Sequence, residues 1–191
     1  MKMNQDKLQE WARRIHKNAC AHGWHEESKS DAHWLCMVMT EVAEAVEADR
    51  KGQRANTQAM KETLRIQSEG HGLTEQWYRD WFPTYFNEYI KGSLEEEFAD
   101  ICIRIMDFAY EKHGEKMRWW DYVTKVNEKY SFTEAAYYFL SGVLNSGTMN
   151  LSESIEFMYE WAKRYDIDLD FHIEVKMRYN ESRPYKHGKA Y

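Results

Sequence analysis

Glycine and proline are scarce in this chain of 191 residues, with nine glycines and two prolines. Average usage of about 12% would supply roughly 23 of the two together. Valine and isoleucine are also few, at 16 residues between them. Neither a β-sandwich nor a parallel sheet is therefore well supplied with strand-forming residues. The composition predicts a mostly helical protein.

The chain also lacks an excess of positive charge, a membrane-length apolar run and a CxxC motif. Lys and Arg total 26 against 32 Asp and Glu, which disfavours a nucleic-acid partner because such binders normally present a basic face. No apolar stretch approaches the roughly 20 residues that span a bilayer, so we expect no membrane association. The spacing of Cys20, Cys36 and Cys102 favours buried, reduced thiols and a cytoplasmic location.

Aromatic residues are abundant, at 15% of the chain. Each aromatic side chain buries about 150–250 Å², so a sequence with a mean hydropathy of -0.83 can still form a sizeable core. The stretch 77–90 is especially aromatic. Such a stripe is more typical of a core or a subunit interface than of a surface that stacks on a nucleotide base. Pro83 predicts that the helix kinks or restarts there.

Three helices stand out from the apolar spacing. The first covers residues 5–22, the second runs from an N-cap at Asp31 to about Arg50, and the third follows an N-cap at Ser93 and ends near Gly114. In the second and third helices the stretches 34–46 and 98–109 are apolar nearly all round. Helices of that kind are buried, so their few acidic residues must face something other than bulk water.

The remaining chain gives weaker signals. Residues 53–76 are polar and indicate a solvated helix or loop, while 119–130 are ambiguous. Two amphipathic helices are predicted over 133–144 and 152–165. A last helix, capped by Asp168 or Asp170, reaches Asn180.

Two pairs of acidic residues lie on the apolar helices. Glu41 and Glu44 are three apart, as are Glu97 and Asp100, so each pair shares one helix face. If the two helices pack antiparallel, four carboxylates can meet in one sheltered pocket. Their mutual repulsion is relieved by protons or by hard cations, and oxygen-only ligands suit Mg²⁺, with Mn²⁺ as an alternative. From spacing and setting alone, capping or solvated acids remain the alternative.

Other metal chemistries are poorly supported. None of the eight histidines follows an acid by three positions, as a di-iron bundle would require. His22 and His25 are three apart, but no cysteine or third histidine is spaced to complete a zinc site, so surface or capping roles are favoured. Asp107 either joins the acidic residues or pairs with Arg104 or another neighbour.

Three segments carry a resemblance to a known family: TEVAEAVEADRKG from Thr40, GSLEEEFADICIRIMDFA from Gly92, and KMRYNESRPYKHGK from Lys176. In this order they resemble the MazG-like, all-α nucleoside triphosphate pyrophosphohydrolases. That family is known by a Glu-x-x-Glu pair, a Glu-x-x-Asp pair, and a later Lys and Asn. The matching residues here are Glu41, Glu44, Glu97, Asp100, Lys176 and Asn180.

The resemblance implies an all-α helical bundle of the NTP pyrophosphatase type. It also implies Mg²⁺-dependent hydrolysis of a nucleoside or deoxynucleoside triphosphate to the monophosphate and pyrophosphate. All four acids would hold metal, with Glu44 as the catalytic base alongside Glu41. Lys176 would contact phosphate and Asn180 would bind phosphate, sugar or base. Arg183 and Lys186 belong to a basic tail that either folds over the phosphates or merely solubilises the terminus.

The chain departs from compact members of that family by two enlargements, at about 51–92 and 115–165, within a single domain covering 1–191. The nearly all-round apolar helices favour a homodimer or homotetramer, in which partner subunits supply the missing cover. Two other functions stay open. One is a non-catalytic helical protein that senses nucleotides or binds partners, and the other is hydrolysis of a different phosphorylated small molecule.

Overall fold

A computed structural model describes residues 4–120, 125–145 and 150–185, which form nine α-helices and no β-strand. The first five helices are α1 (Gln5–Ala21), α2 (Asp31–Lys51), α3 (Thr57–Gly70), α4 (Glu75–Asp80) and α5 (Phe82–Tyr89). The last four are α6 (Leu94–His113), α7 (Phe132–Leu144), α8 (Leu151–Lys163) and α9 (Leu169–Ser182). The all-α prediction is confirmed.

The helices begin where the sequence places short polar residues. Ser93 and Asp168 accept hydrogen bonds from the first turns of α6 and α9, as expected for N-caps. The cap of α2 is Ser30, and Asp31 is the first helical residue, so that prediction was wrong by one position. Gly52 ends α2 with a φ of 64°, in the left-handed region that glycine tolerates best.

Helix α6 is the centre of the bundle and packs against α1, α2, α8 and α9. It runs antiparallel to α2. Lys112 near the end of α6 pairs with Asp31 at the start of α2, whereas the backbone N–H of Leu94 donates to the carbonyl of Gln53, just after α2, over 3.0 Å. The two helices therefore have the antiparallel arrangement in which the two acid pairs were predicted to meet.

Each of the two enlarged segments contains helices that pack on the bundle. Helices α3, α4 and α5 fall within 51–92 and form a second apolar cluster around Met60, Phe82 and Phe86, which are fully buried. Phe86 stacks on Tyr179 of α9 with ring centroids 4.1 Å apart. Most of the aromatic stretch is thus core, although Trp81 is exposed.

The second segment, 115–165, contributes α7 and α8 to the main core. Trp161 of α8 is fully buried against Phe98 of α6. Residues 119–120 and 125–130 form no helix. Pro83 lies in the first turn of α5, where α4 has already ended, so the helix restarts there rather than kinking.

The cysteine prediction holds only for Cys102. That thiol is buried in the core, while Cys20 and Cys36 are exposed, and all three are free. Cys20 and Cys36 lie on the outer faces of α1 and α2, which local apolar content did not reveal. No helix within the described ranges has both the length and the apolar character required to cross a bilayer.

His172 is a buried histidine in α9 that joins the enlarged segment to the bundle. Its Nε2 lies 3.0 Å from the hydroxyl of Thr57 at the start of α3. Burial lowers the pKa of His172 to about 4. The charged groups around it act in both directions: Glu95 and Asp168 raise the pKa, while Lys61 and Arg54 lower it. The imidazole is consequently neutral in the folded protein at pH 7.

We expect His172 to make the fold acid-sensitive. Between pH 6.5 and about 4 the unfolded chain takes up a proton at His172 that the folded chain does not, so stability falls as pH falls. At pH 5 this single group removes about 2 kcal/mol relative to pH 7.

Urea unfolding followed by circular dichroism at pH 7, 6 and 5 measures the effect. His172→Gln should lose about 2 kcal/mol less than the unmodified protein over this interval. The exposed His71 provides the control, because His71→Gln should leave the pH dependence unchanged. Equal losses in the His172 variant and the unmodified protein would contradict the expectation.

Candidate functional site

A cavity of about 580 Å³ lies between α2, α6 and α9, within the range of about 300–1,000 Å³ that ligand pockets usually occupy. The sequence-predicted site residues within the described ranges all line it: Glu41, Glu44, Glu97, Asp100, Lys176, Asn180 and Arg183. Lys186 lies outside the described residues. The turn at Lys91 and Gly92 and the side chain of Trp24 complete the wall.

Three carboxylates converge at the floor of the cavity. One oxygen each from Glu41, Glu44 and Glu97 lies within 4.8 Å of the others. The i, i+3 spacing on α2 brings the first two together, and the antiparallel α6 brings Glu97 to them. Glu41 and Glu97 are buried, whereas Glu44 is exposed. Asp100 lines the same cavity but does not belong to this trio.

Two cations neutralise part of this charge. The guanidinium of Arg104 donates to Glu41 through Nε over 2.9 Å. The ammonium of Lys176 is 6% exposed and pairs with Glu96 and, at 2.6 Å, with Asp100. Among the described residues neither Glu44 nor Glu97 forms a salt bridge. Glu41, Glu96 and Asp100 are therefore each paired with a cation, whereas Glu44 and Glu97 are not.

Burial has the largest effect on the pKa values of Glu97 and Glu41. Together with the charges of Asp100 and Glu96, it raises the pKa of Glu97 to about 9. Burial and the nearby Asp100 also raise the pKa of Glu41, although Arg104 opposes them. Burial lowers the pKa of Lys176, but Asp100 and Glu96 outweigh it and raise the value overall. At pH 7 Glu97 therefore holds a proton and Lys176 remains charged.

The last helix supplies the polar side of the cavity. Lys176 and Asn180, four residues apart, both face it, and Lys176 is buried there. The Oδ1 atom of Asn180 is buried and has no hydrogen-bond partner in the described part of the chain. Arg183 lies over the ring of Tyr179 at 5.7 Å. An unsatisfied buried acceptor in a cavity wall is suited to a ligand that donates a hydrogen bond.

Several site residues were not predicted. Glu96 and Arg104 hold Lys176 and Glu41, and sequence reasoning assigned neither of them to the site. Arg104 interrupts an otherwise apolar helix one turn after Asp100, and Glu96 precedes Asp100 by four, so helical spacing could have placed both. Asp107 lies apart from this cavity: its carboxylate contacts His16 at 2.9 Å and His25 at 3.0 Å. Of the two alternatives for Asp107, pairing with a neighbour is the one observed.

Comparison of the chain with protein-family models, with curated proteins and with solved structures finds no match. The geometry of the cavity and the chemistry of its residues therefore have to support any assignment of function.

We expect Glu97 to destabilise the metal-free fold at alkaline pH. Between pH 4.5 and about 9 the folded chain retains a proton on Glu97 that the unfolded chain releases, so stability falls as pH rises. Glu97→Gln keeps the size of the side chain and removes this dependence. Between pH 6 and pH 8 in EDTA the unmodified protein should lose about 3 kcal/mol of stability that the variant retains, because each pH unit in this interval corresponds to about 1.4 kcal/mol.

Chemical unfolding at pH 6, 7 and 8 tests this expectation. Glu88 is exposed on α5, so Glu88→Gln provides a matched control and should behave as the unmodified protein. A Glu97 variant that is less stable at pH 8 and retains the alkaline slope would show that the carboxyl is ionised in the folded state.

Proposed function

We propose that this protein is a divalent-metal-dependent nucleotide pyrophosphohydrolase that converts a nucleoside or deoxynucleoside triphosphate to its monophosphate and pyrophosphate. One observation carries the proposal. The two acid pairs, which come from separate helices, meet in a single cavity together with Lys176 and Asn180 from a third helix. The same residues carry the resemblance to MazG-like pyrophosphohydrolases, and their sequence separation makes such a meeting hard to attribute to local structure.

The donor set fits a hard cation. Every candidate ligand is a carboxylate, which suits Mg²⁺ or Mn²⁺ rather than zinc. Glu97 supports this further, because it is a buried carboxyl without a salt-bridge partner among the described residues, and a divalent ion would favour its charged form. Glu41, Glu44, Glu97 and Asp100 would hold the metal. When bound, the metal neutralises phosphate charge and makes a water molecule easier to deprotonate.

Glu44 is the residue best suited to act as the general base. Glu41 is held by Arg104 and Asp100 by Lys176, and Glu97 already carries a proton at pH 7. Glu44 is exposed and forms no ion pair with another described residue, so it can accept a proton from the attacking water. Water attacks the α-phosphorus, the bond from that phosphorus to the α,β-bridging oxygen breaks, and pyrophosphate leaves.

The side chains of α9 would bind the substrate. The charged ammonium of Lys176, which lines the cavity, would contact a phosphate oxygen. The buried Oδ1 of Asn180 accepts hydrogen bonds and thus suits a sugar hydroxyl or a base amino group. Arg183, at the cavity wall, adds a second positive charge toward the phosphates. The cavity volume accommodates a ligand the size of a nucleotide.

Glu44→Gln should lower kcat by at least about 100-fold, because general base catalysis typically contributes 10² to 10⁴. Glu41→Gln and Asp100→Asn should abolish pyrophosphate release. All three variants should retain the helical circular dichroism signal. The assay incubates a panel of NTPs and dNTPs with Mg²⁺ and quantifies monophosphate and pyrophosphate.

Glu47→Gln serves as the matched control, because Glu47 lies one turn beyond Glu44 on α2 and pairs with Lys51 over 3.0 Å on an exposed face. Full activity of the Glu44 and Glu41 variants would mean that the site is assigned wrongly.

EDTA should stop turnover, and Mg²⁺ should restore both activity and resistance to thermal unfolding. The shift in melting temperature on adding Mg²⁺ should be absent in Glu97→Gln and present in Glu47→Gln. Turnover that continues unchanged in EDTA would exclude the metal-dependent mechanism.

A second candidate is nucleotide binding without hydrolysis. It is favoured by the pairing of Asp100 with Lys176, which keeps one of the expected metal ligands outside the converging trio. The same nucleotide panel separates the two functions. Monophosphate and pyrophosphate identify the hydrolase, whereas saturable binding with no products identifies the binding protein.

A further inference from the structure

Two histidines distant in sequence meet at a second site, away from the acidic cavity floor. His16 lies on α1 and His25 on the loop that follows it, with ring centroids 4.5 Å apart. His25 is 7% exposed and stacks on Trp34 of α2, while His16 is 17% exposed. The pair considered from sequence, His22 and His25, does not form, because both ring nitrogens of His22 contact backbone carbonyl groups at 2.8 Å.

A single buried carboxylate orients both rings. His16 Nδ1 lies 2.9 Å and His25 Nε2 lies 3.0 Å from oxygens of Asp107 on α6. An ionised carboxylate only accepts hydrogen bonds, so both of these nitrogens donate. A neutral imidazole that donates through one nitrogen presents a lone pair at the other. When the rings are neutral, His16 Nε2 and His25 Nδ1 are therefore the nitrogens that carry the lone pairs.

Further candidate ligand atoms lie close to those two nitrogens. Glu111, one turn beyond Asp107 on α6, places Oε2 at 3.6 Å from His16 Nε2 and 3.3 Å from His25 Nδ1. The thiol of Cys20, one turn beyond His16 on α1, lies 3.4 Å from His16 Nε2. The two contacts to Glu111 are longer than ordinary hydrogen bonds of about 2.7–3.2 Å.

These separations match the edges of a tetrahedral coordination sphere. Bonds of about 2.0–2.3 Å to a tetrahedral ion set the ligand atoms about 3.3–3.7 Å apart. These three of the six separations fall within that range. His16, His25 and Glu111 offer ligand atoms that all lie within 4.8 Å of one another, whereas the exposed Cys20 thiol lies beside His16 only. A carboxylate that holds the far nitrogen of a histidine ligand is also the usual outer-sphere arrangement at zinc sites. Nitrogen and sulfur donors select zinc or a similar transition metal over Mg²⁺.

We propose that His16, His25 and Glu111 form a binding site for Zn²⁺ that the exposed thiol of Cys20 completes on metal binding, with Asp107 as the residue that orients both imidazoles. The ion would fasten the loop after α1 to α6. With four protein ligands the site is of the closed, structural kind. This proposal is independent of the proposed hydrolase activity, since it uses none of the acids at the cavity floor.

Cobalt(II) provides a spectroscopic test on the full-length, metal-free protein. One equivalent of Co²⁺ should produce the intense visible bands of tetrahedral coordination, together with a sulfur-to-cobalt charge-transfer band in the near ultraviolet. Cys20→Ser should lose the charge-transfer band. One equivalent of Zn²⁺ should abolish the cobalt spectrum and raise the melting temperature.

Two variants at ligand positions test metal binding while the fold is retained. Glu111 has an exposed side chain, so Glu111→Gln keeps the fold while weakening Co²⁺ and Zn²⁺ binding at least about tenfold. His25→Gln should do the same with unchanged helical circular dichroism. His113→Gln, an exposed histidine of the same helix, should bind as the unmodified protein does.

Glu44→Gln separates this site from the acidic cavity and should leave the cobalt spectrum intact, whatever its effect on turnover. Weak octahedral bands only, no spectrum at one equivalent, or unchanged affinity in both ligand variants would overturn the zinc site.

Discussion

The seam that α6 forms with α2 and α9 depends on two cations, the buried Lys176 and the partly buried Arg104. Arg104 and Lys176 hold the carboxylates of Glu41, Glu96 and Asp100 in a largely desolvated cavity. Removing one member of such a pair typically costs about 3–5 kcal/mol, because the remaining charge is left buried without compensation. Intact buried pairs add little net stability. The free energy that keeps the seam closed must come from the apolar packing around it.

That packing surrounds the acidic residues on α6. Phe98, Ile101, Cys102 and Ile105 are fully buried, and they alternate with the polar positions along the same helix. The apolar residues fix the position of the helix, and the fixed helix determines where Glu97 and Asp100 lie. A rigid scaffold is what allows carboxylates to be held closer together than their repulsion favours. The tight packing of the bundle therefore holds these carboxylates together although the nearby cations neutralise only part of their charge.

The sequence predicts well what depends on local spacing. The apolar periodicity identified α1, α2, α6 and α9. Ser93 was placed correctly as a cap, and of the two candidates for α9, Asp168 and Asp170, the cap is Asp168. The predicted face-sharing of Glu41 with Glu44 holds because helical geometry alone determines it. Met60 was missed: it is fully buried in α3 although its surroundings are polar, because α5 covers only one narrow face of that helix.

Contacts between distant segments could not be predicted in the same way. The partners Lys176 and Glu96 are 80 residues apart, and His25 and Asp107 are 82 apart. No local pattern encodes which helix faces meet, so the histidines were paired by sequence distance and the wrong pair was considered. The acid pairs were easier, since two nearly all-apolar helices with acidic interruptions have few ways to pack.

The order of the helices along the chain has a consequence for biosynthesis. The acids of α2 and α6 leave the ribosome well before α9, which carries the ammonium that neutralises Glu96 and Asp100. Until α9 docks, the nascent bundle contains acidic side chains at positions that only the final helix compensates. Closure of the seam is thereby a late event, and a chain that stops short of α9 would lack both the core side chains of Leu169, Ile173 and Met177 and the counter-charge on which the centre of the bundle relies.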